Sequence, residues 1–152
     1  MSEPAIVKKL KNLPPSHVIE VSVPRGERVF ARVNKEHLKN VISFLVDEGF
    51  RHLAGITALE TDEGFELLYH LSMEGTLLTV KVDLLSNDDA APTITDIIQG
   101  ALLYEREAHD LFGIKFEGNP YLKPLILPDD WPVDDYPLRK RGRRKGEETQ
   151  SN

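Results

Sequence analysis

Residues 65–84 read FELLYHLSMEGTLLTVKVDL, and their alternation decides the fold. Phe65, Leu67, Tyr69, Leu71 and Met73 share one side of an extended chain, because successive side chains on a strand point to opposite faces. Glu74-Gly75 supplies a tight turn. Leu78, Val80, Val82 and Leu84 then return on the buried side, with Thr79, Lys81 and Asp83 facing out. Phe50 to Leu59 predicts a preceding strand and Asp62-Glu63-Gly64 its turn, so a three-strand meander is expected.

Upstream, Ile19, Val21 and Val23 alternate with Glu20 and Ser22 between His17 and Val23, and Pro24-Arg25-Gly26-Glu27 turns the chain into a hairpin partner over Arg28–Val33. Asn34 stands ready to cap a helix in which Leu38, Val41, Ile42, Leu45 and Val46 follow helical spacing until Gly49. A short helix begins near Pro4, with Ile6, Val7, Leu10 and Leu13 on one side, and stops at Pro14-Pro15. The element order predicts an α+β domain: a mainly antiparallel sheet with helices packed on one face.

Beyond the meander, Ser86 to Pro92 reads as a polar loop. Thr93 or Thr95 caps a helical region divided at Gly100, whose second piece, Ala101 to Phe112, presents Ala101, Tyr104, Ala108, Leu111 and Phe112 as its apolar side. Within it Glu105, Arg106, Glu107, His109 and Asp110 crowd charge onto a few turns. Helical spacing pairs Arg106 with Asp110 and Glu105 with His109, and sets Glu107 near Asp110. This face is either solvated or a docking surface for a polar partner.

After Gly113, Pro120, Pro124, Pro128, Pro132 and Pro137 exclude both a helix and a central strand, while Leu125, Leu127, Trp131, Tyr136 and Leu138 make the segment too apolar for an inert linker. The expected division is therefore a domain over residues 1–116 and an extended arm over 117–152, which binds another surface or folds back on its own domain. The arm ends in a basic run: Arg139 to Lys145 holds six positive charges, and removing them from the net −6 of the chain leaves −12 on the rest.

Composition excludes several chemistries. With no cysteine, the chain offers no disulfide, thiolate zinc site or cysteine-ligated iron–sulfur cluster. His17, His37, His52, His70 and His109 lack the spacing of a metal site. Glu105 and Glu107 point about 200 degrees apart on a helix and cannot act as an acid–base pair. The glycines fit neither a P-loop nor a dinucleotide fold, no serine or threonine sits in a nucleophile elbow, and no catalytic, cofactor-binding or metal site is predicted. No apolar run reaches the roughly 20 residues that span a bilayer. The basic run alone would suit an RNA adaptor, but it lacks interleaved aromatics and an acidic body repels polyanions, so no nucleic-acid partner is expected.

Thr93-Ile94-Thr95-Asp96-Ile97, Gly100-Ala101, Tyr104-Glu105-Arg106-Glu107, Asp110-Leu111-Phe112-Gly113-Ile114 and Gly118-Asn119-Pro120 together resemble the signature of the 30 kDa subunit family of respiratory complex I, a family that includes subunits of membrane-bound [NiFe] hydrogenases. The likeness runs over roughly residues 30 to 140. Asn119 stands where respiratory members usually carry His, and Leu127-Pro128-Asp129-Asp130-Trp131-Pro132 with Tyr136-Pro137-Leu138-Arg139-Lys140 is similar to the energy-converting hydrogenase branch.

That resemblance implies a hydrophilic, non-catalytic, peripheral subunit on the cytoplasmic side of an ion-pumping membrane hydrogenase. Its partners would be a large subunit of the complex I 49 kDa type, a small iron–sulfur subunit and membrane-arm subunits, with the iron–sulfur and Ni–Fe centres in those neighbours. An NADH- or ferredoxin-dependent quinone- or sulfur-reducing relative is the alternative. The expected partner interface comprises Glu105, Arg106, Glu107, Asp110 and Phe112 on the helix, then Asn119, Pro120, Leu125, Leu127, Trp131, Tyr136, Leu138, Arg139 and Lys140 on the arm.

Overall fold

A computed structural model describes residues 4–85 and 88–120. The elements are α1 (Ala5–Lys11), β1 (Val18–Arg25), β2 (Arg28–Val33), a 3-10 turn (Lys35–His37), α2 (Leu38–Asp47), β3 (His52–Thr61), β4 (Gly64–Met73), β5 (Thr76–Leu85), β6 (Ala90–Pro92), α3 (Ala101–Phe112) and β7 (Lys115–Glu117). Five strands form one sheet in the order β1-β2-β5-β4-β3, antiparallel except where β2 meets β5.

The meander forms as its alternation predicts. β4 and β5 pair without a break from Gly64↔Leu85 to Met73↔Thr76. The turn between them holds Glu74 at φ 46 and Gly75 at φ 88, the two positive angles of the hairpin turn whose twist matches the strands. Leu67, Tyr69, Leu71, Leu78, Val80, Val82 and Leu84 all stand at 0% exposure, joined in one core with the apolar sides of α1, α2 and α3. Because β2 adjoins β5 while β3 lies at the far edge, the intervening α2 spans the sheet and buries Leu38, Val41, Ile42 and Leu45 against it. Phe50 N–H donates to Leu45 O and Gly49 N–H to Val46 O, with Gly49 at φ 111, so a left-handed residue closes α2 where the sequence places a glycine.

Four local expectations are corrected. Ile19 is the extra residue of a bulge, since Val18 opposes Val33 while Glu20 opposes Arg32, and it turns outward at 55% exposure. Asn34 makes no cap bond; its side-chain amide donates to Ser16 O. Residues 93–100 form turns rather than a helix, so only the piece after Gly100 is helical. The stretch read as a polar loop before Thr93 ends in β6, which pairs in parallel with β7.

The outer face of the sheet is also less open than alternation implies. Thr79 is buried there, its hydroxyl 3.0 Å from His70 Nδ1, while His70 Nε2 lies 3.0 Å from the Thr57 hydroxyl. The imidazole thus crosslinks three adjacent strands. Arg32 on β2 reaches Asp83 at 2.7 Å and Glu66 at 3.2 Å, adding a second polar tie across the same face.

Candidate docking corner

The corner is built where α3 meets β6, β7 and the turns between Thr93 and Gly100. Glu105 lies at its centre with 0% exposure. Its Oε1 accepts the Thr93 hydroxyl at 2.6 Å and the Asn119 amide at 2.9 Å, and its Oε2 accepts the Ile94 backbone N–H at 2.9 Å. Since Thr93 gives its proton to the carboxylate, the Thr95 hydroxyl, 2.9 Å away, donates to Thr93 Oγ1, which also accepts the Thr95 N–H. A threonine turn of this kind offers the backbone an alternative to helix, which explains why residues 93–100 do not continue one.

Backbone pairing completes the brace. Ala90, Ala91 and Pro92 oppose Lys115, Phe116 and Glu117, and Thr93 N–H donates to Glu117 O at 2.9 Å. Gly118 follows at φ 96, and a Cβ there would meet the Thr93 methyl at 2.9 Å, so the chain passes the threonine only as glycine. Asn119 N–H then donates to Phe116 O at 3.1 Å. On the other side, His109 Nδ1–H donates to Ile114 O at 2.9 Å and fixes the end of α3. Lys35 and Lys39 pair with Asp88 and Asp96 and tie the segment to the start of α2.

Burial raises the Glu105 carboxyl above its ordinary value; the three donors oppose this and the charge of Asp96 adds to it. Tyr69, wholly buried on β4, is raised well above the usual phenol range by burial and then by the Glu105 charge. Its hydroxyl has no hydrogen-bond partner among the described residues.

The structure separates the helix residues expected at a partner interface. Glu105, Asp110 and Phe112 are buried within the domain, Phe112 edge-on to Phe65 with ring centres 5.9 Å apart. These three side chains are turned into the domain, Phe112 on the apolar side that the helical spacing gives it. Arg106 is half-buried, and its Nε is enclosed without a hydrogen bond among the described residues. Glu107 and Pro120 are exposed and Asn119 is half-buried. Leu103, passed over in the sequence, is 56% exposed, one helical turn before Glu107. Leu125, Leu127, Trp131, Tyr136, Leu138, Arg139 and Lys140 lie outside the described residues. Thr93 and the Ile94 N–H were legible only as a cap, since no local pattern announces a carboxylate eleven or twelve residues downstream.

Among the described residues no three His, Asp or Glu side chains gather as metal ligands, and the whole chain lacks cysteine. No described helix is long and apolar enough to cross a membrane.

These features define a small α+β domain that fixes the start of its C-terminal segment through a buried polar brace. The chain belongs to the family described as respiratory-chain NADH dehydrogenase, 30 Kd subunit, whose family model matches residues 31–148. It is 30% identical over 148 residues to the C subunit of NADH-quinone oxidoreductase from Roseiflexus castenholzii, across 92% of this chain and 83% of the relative. Identity is again 30%, over 145 residues, with the C subunit of F(420)H(2) dehydrogenase from Methanosarcina mazei, across 92% and 91%. A chain in the structure of the membrane-bound sulfane sulfur reductase, an archaeal respiratory membrane complex, matches with a TM-score of 0.81 at 30% identity, over 96% of this chain and 88% of that one.

Proposed function

We propose that this chain is the hydrophilic, non-catalytic subunit of a membrane-bound respiratory complex, peripheral on the cytoplasmic side, which docks and stabilises the catalytic large subunit. The observation that carries the reading is the corner: its buried carboxylate, held by Thr93 and Ile94, also takes the Asn119 amide at the start of the arm, an arrangement suited to presenting a segment to a partner. Arg106, Glu107 and Leu103 supply the outward side of α3, and the apolar residues of the arm supply the anchors. Iron–sulfur and Ni–Fe centres belong to the neighbouring subunits. Trp131→Ala is expected to weaken assembly by about 2 kcal/mol or more, as loss of a central aromatic anchor does. Co-purification of that variant at unchanged stoichiometry and salt resistance would refute the anchor.

For the complex itself, Asn119 and the Leu127–Lys140 segment favour an ion-pumping [NiFe] hydrogenase. A sulfur-reducing complex is the second reading, supported by the extent of the match to the sulfane sulfur reductase chain. Metal analysis of the assembly purified through this chain distinguishes them: stoichiometric nickel supports the hydrogenase, and a nickel-free assembly with sulfur-reducing activity supports the second.

A further inference from the structure

We propose that the outer face of the five-stranded sheet is a second docking surface, which takes an acidic segment of a neighbouring protein subunit through Arg28 and Lys81. This inference rests on the chain being a subunit of a larger complex, and it concerns a face that the corner does not use. Helices α1, α2 and α3 bury their apolar sides in the core with Leu67 and Val80, on the opposite face of the sheet. On the outer face, the register sets Arg28 beside Leu77, Phe30 beside Thr79 and Leu68 beside Lys81. Lys81 Nζ lies 4.2 Å from the centre of the Phe30 ring and Arg28 Cζ 5.7 Å from it, so two cations lean on one aromatic side chain. Phe30, Leu68 and Leu77 are half-buried, and with the cations they make a strip that is both apolar and positive.

The charges of this face are sorted. Arg32, next after Phe30 along the same side of β2, takes both Asp83 and Glu66, whereas neither Arg28 nor Lys81 pairs with a carboxylate among the described residues. Asp83 follows Lys81 on the same side of β5 and is committed to Arg32. Like charges held against one ring repel each other, and a carboxylate set between them turns that repulsion into attraction. The occupant is a protein segment rather than a lipid surface or a nucleic acid, because Glu66 and Asp83, with Glu20 opposite Arg32 on β1, put negative charge on the same face and repel a polyanion. An acidic side chain flanked by apolar ones matches both the cations and the leucines of the strip.

Lys81 allows a direct test. In the complex purified through the full-length chain, a water-soluble carbodiimide, which joins an amine to a carboxylate in direct contact, is expected to link Lys81 to an Asp or Glu of another subunit, located by mass spectrometry. Lys81→Arg keeps the charge and removes the amine, so it is expected to lose the link while the subunit composition stays unchanged. Arg28→Glu combined with Lys81→Glu sets acid against acid and is expected to lower recovery of the linked subunit at least about tenfold. Replacing the linked carboxylate of that subunit by lysine is expected to restore recovery. Lys81→Gln removes one of two repelling charges: in the isolated full-length chain it is expected to leave the melting temperature close to that of wild type while still lowering recovery, which separates docking from folding.

An intact complex in which Lys81 links to no other subunit, and in which the double reversal changes neither recovery nor salt resistance, overturns the inference and leaves the subunit role standing. A link from Lys81 to a carboxylate of this same chain overturns it as well. A full-length chain that purifies with no other subunit overturns the subunit role and the inference with it.

Discussion

In the β4–β5 hairpin, Leu67, Leu71, Val80 and Val82 reach 0% exposure through apolar alternation alone; in the corner, Glu105 reaches the same depth by collecting three hydrogen bonds. The two regions teach different lessons about how a short sequence specifies structure. Apolar burial is non-directional and roughly proportional to area, so many contacts share the load and the pattern survives small errors. A buried carboxylate is directional: it is tolerated only when its donors are in place, and each donor comes from a different part of the chain.

The comparison predicts different failures. Leu67→Ala should cost about 2–5 kcal/mol of global stability, the range for truncating a fully buried leucine. Because the hairpin is continuous with the core, chemical denaturation should show one earlier transition. Glu105→Leu should cost about 1–3 kcal/mol, the penalty for leaving buried donors without an acceptor. Its effect should be concentrated locally, as faster hydrogen exchange at Ile94 N–H while the β4–β5 amides keep their protection. Equal acceleration in both regions would erase the distinction between a shared core and a local brace.

The same distinction governs what was legible in the sequence. The meander, α2 and α3 follow from periodicity, because their partners lie at fixed short intervals and one face is buried throughout. Ile19 defeated that reading, since a single extra residue reverses the alternation and no side chain announces a bulge. Glu105 looked like a surface charge for the same reason: helical spacing reports neighbours on the helix, whereas its partners Thr93 and Asn119 are supplied by folding. The parallel pairing of β6 with β7 is likewise non-local, joining two three-residue segments that flank α3 and are too short to show a period.

On the outer face, His70 offers an intermediate case: a polar crosslink on the scaffold of the meander. Burial lowers its pKa and the charge of Arg28 adds to the effect, so the unfolded chain takes up a proton more readily than the folded one. The contribution is therefore full above the ordinary histidine value, about 6.5, and declines as pH falls through it toward the lower folded value. Thermal unfolding across that interval should show this decline, and His70→Gln, which retains a donor and an acceptor toward Thr57 and Thr79, should flatten it. A slope unaffected by the substitution would assign the titration elsewhere.

Tyr69 stands where the two regions meet, on β4 and within the field of Glu105, and it carries the smallest effect. Its ring belongs to the apolar core, but its hydroxyl is buried without a hydrogen bond among the described residues, so folding removes that group from water with no compensating bond. Tyr69→Phe keeps the ring and discards the uncompensated group. Stability should stay within about 1 kcal/mol of wild type and move upward, because removing a buried polar atom that has no partner also removes its desolvation cost. The Glu105→Leu background sharpens the test: if the hydroxyl feels the carboxylate only through its field, Tyr69→Phe should have nearly the same effect there. A loss above about 1 kcal/mol in the wild-type background that vanishes in the Glu105→Leu background would instead reveal a hydrogen-bonded link between Tyr69 and the carboxylate, making the tyrosine part of the brace rather than of the core.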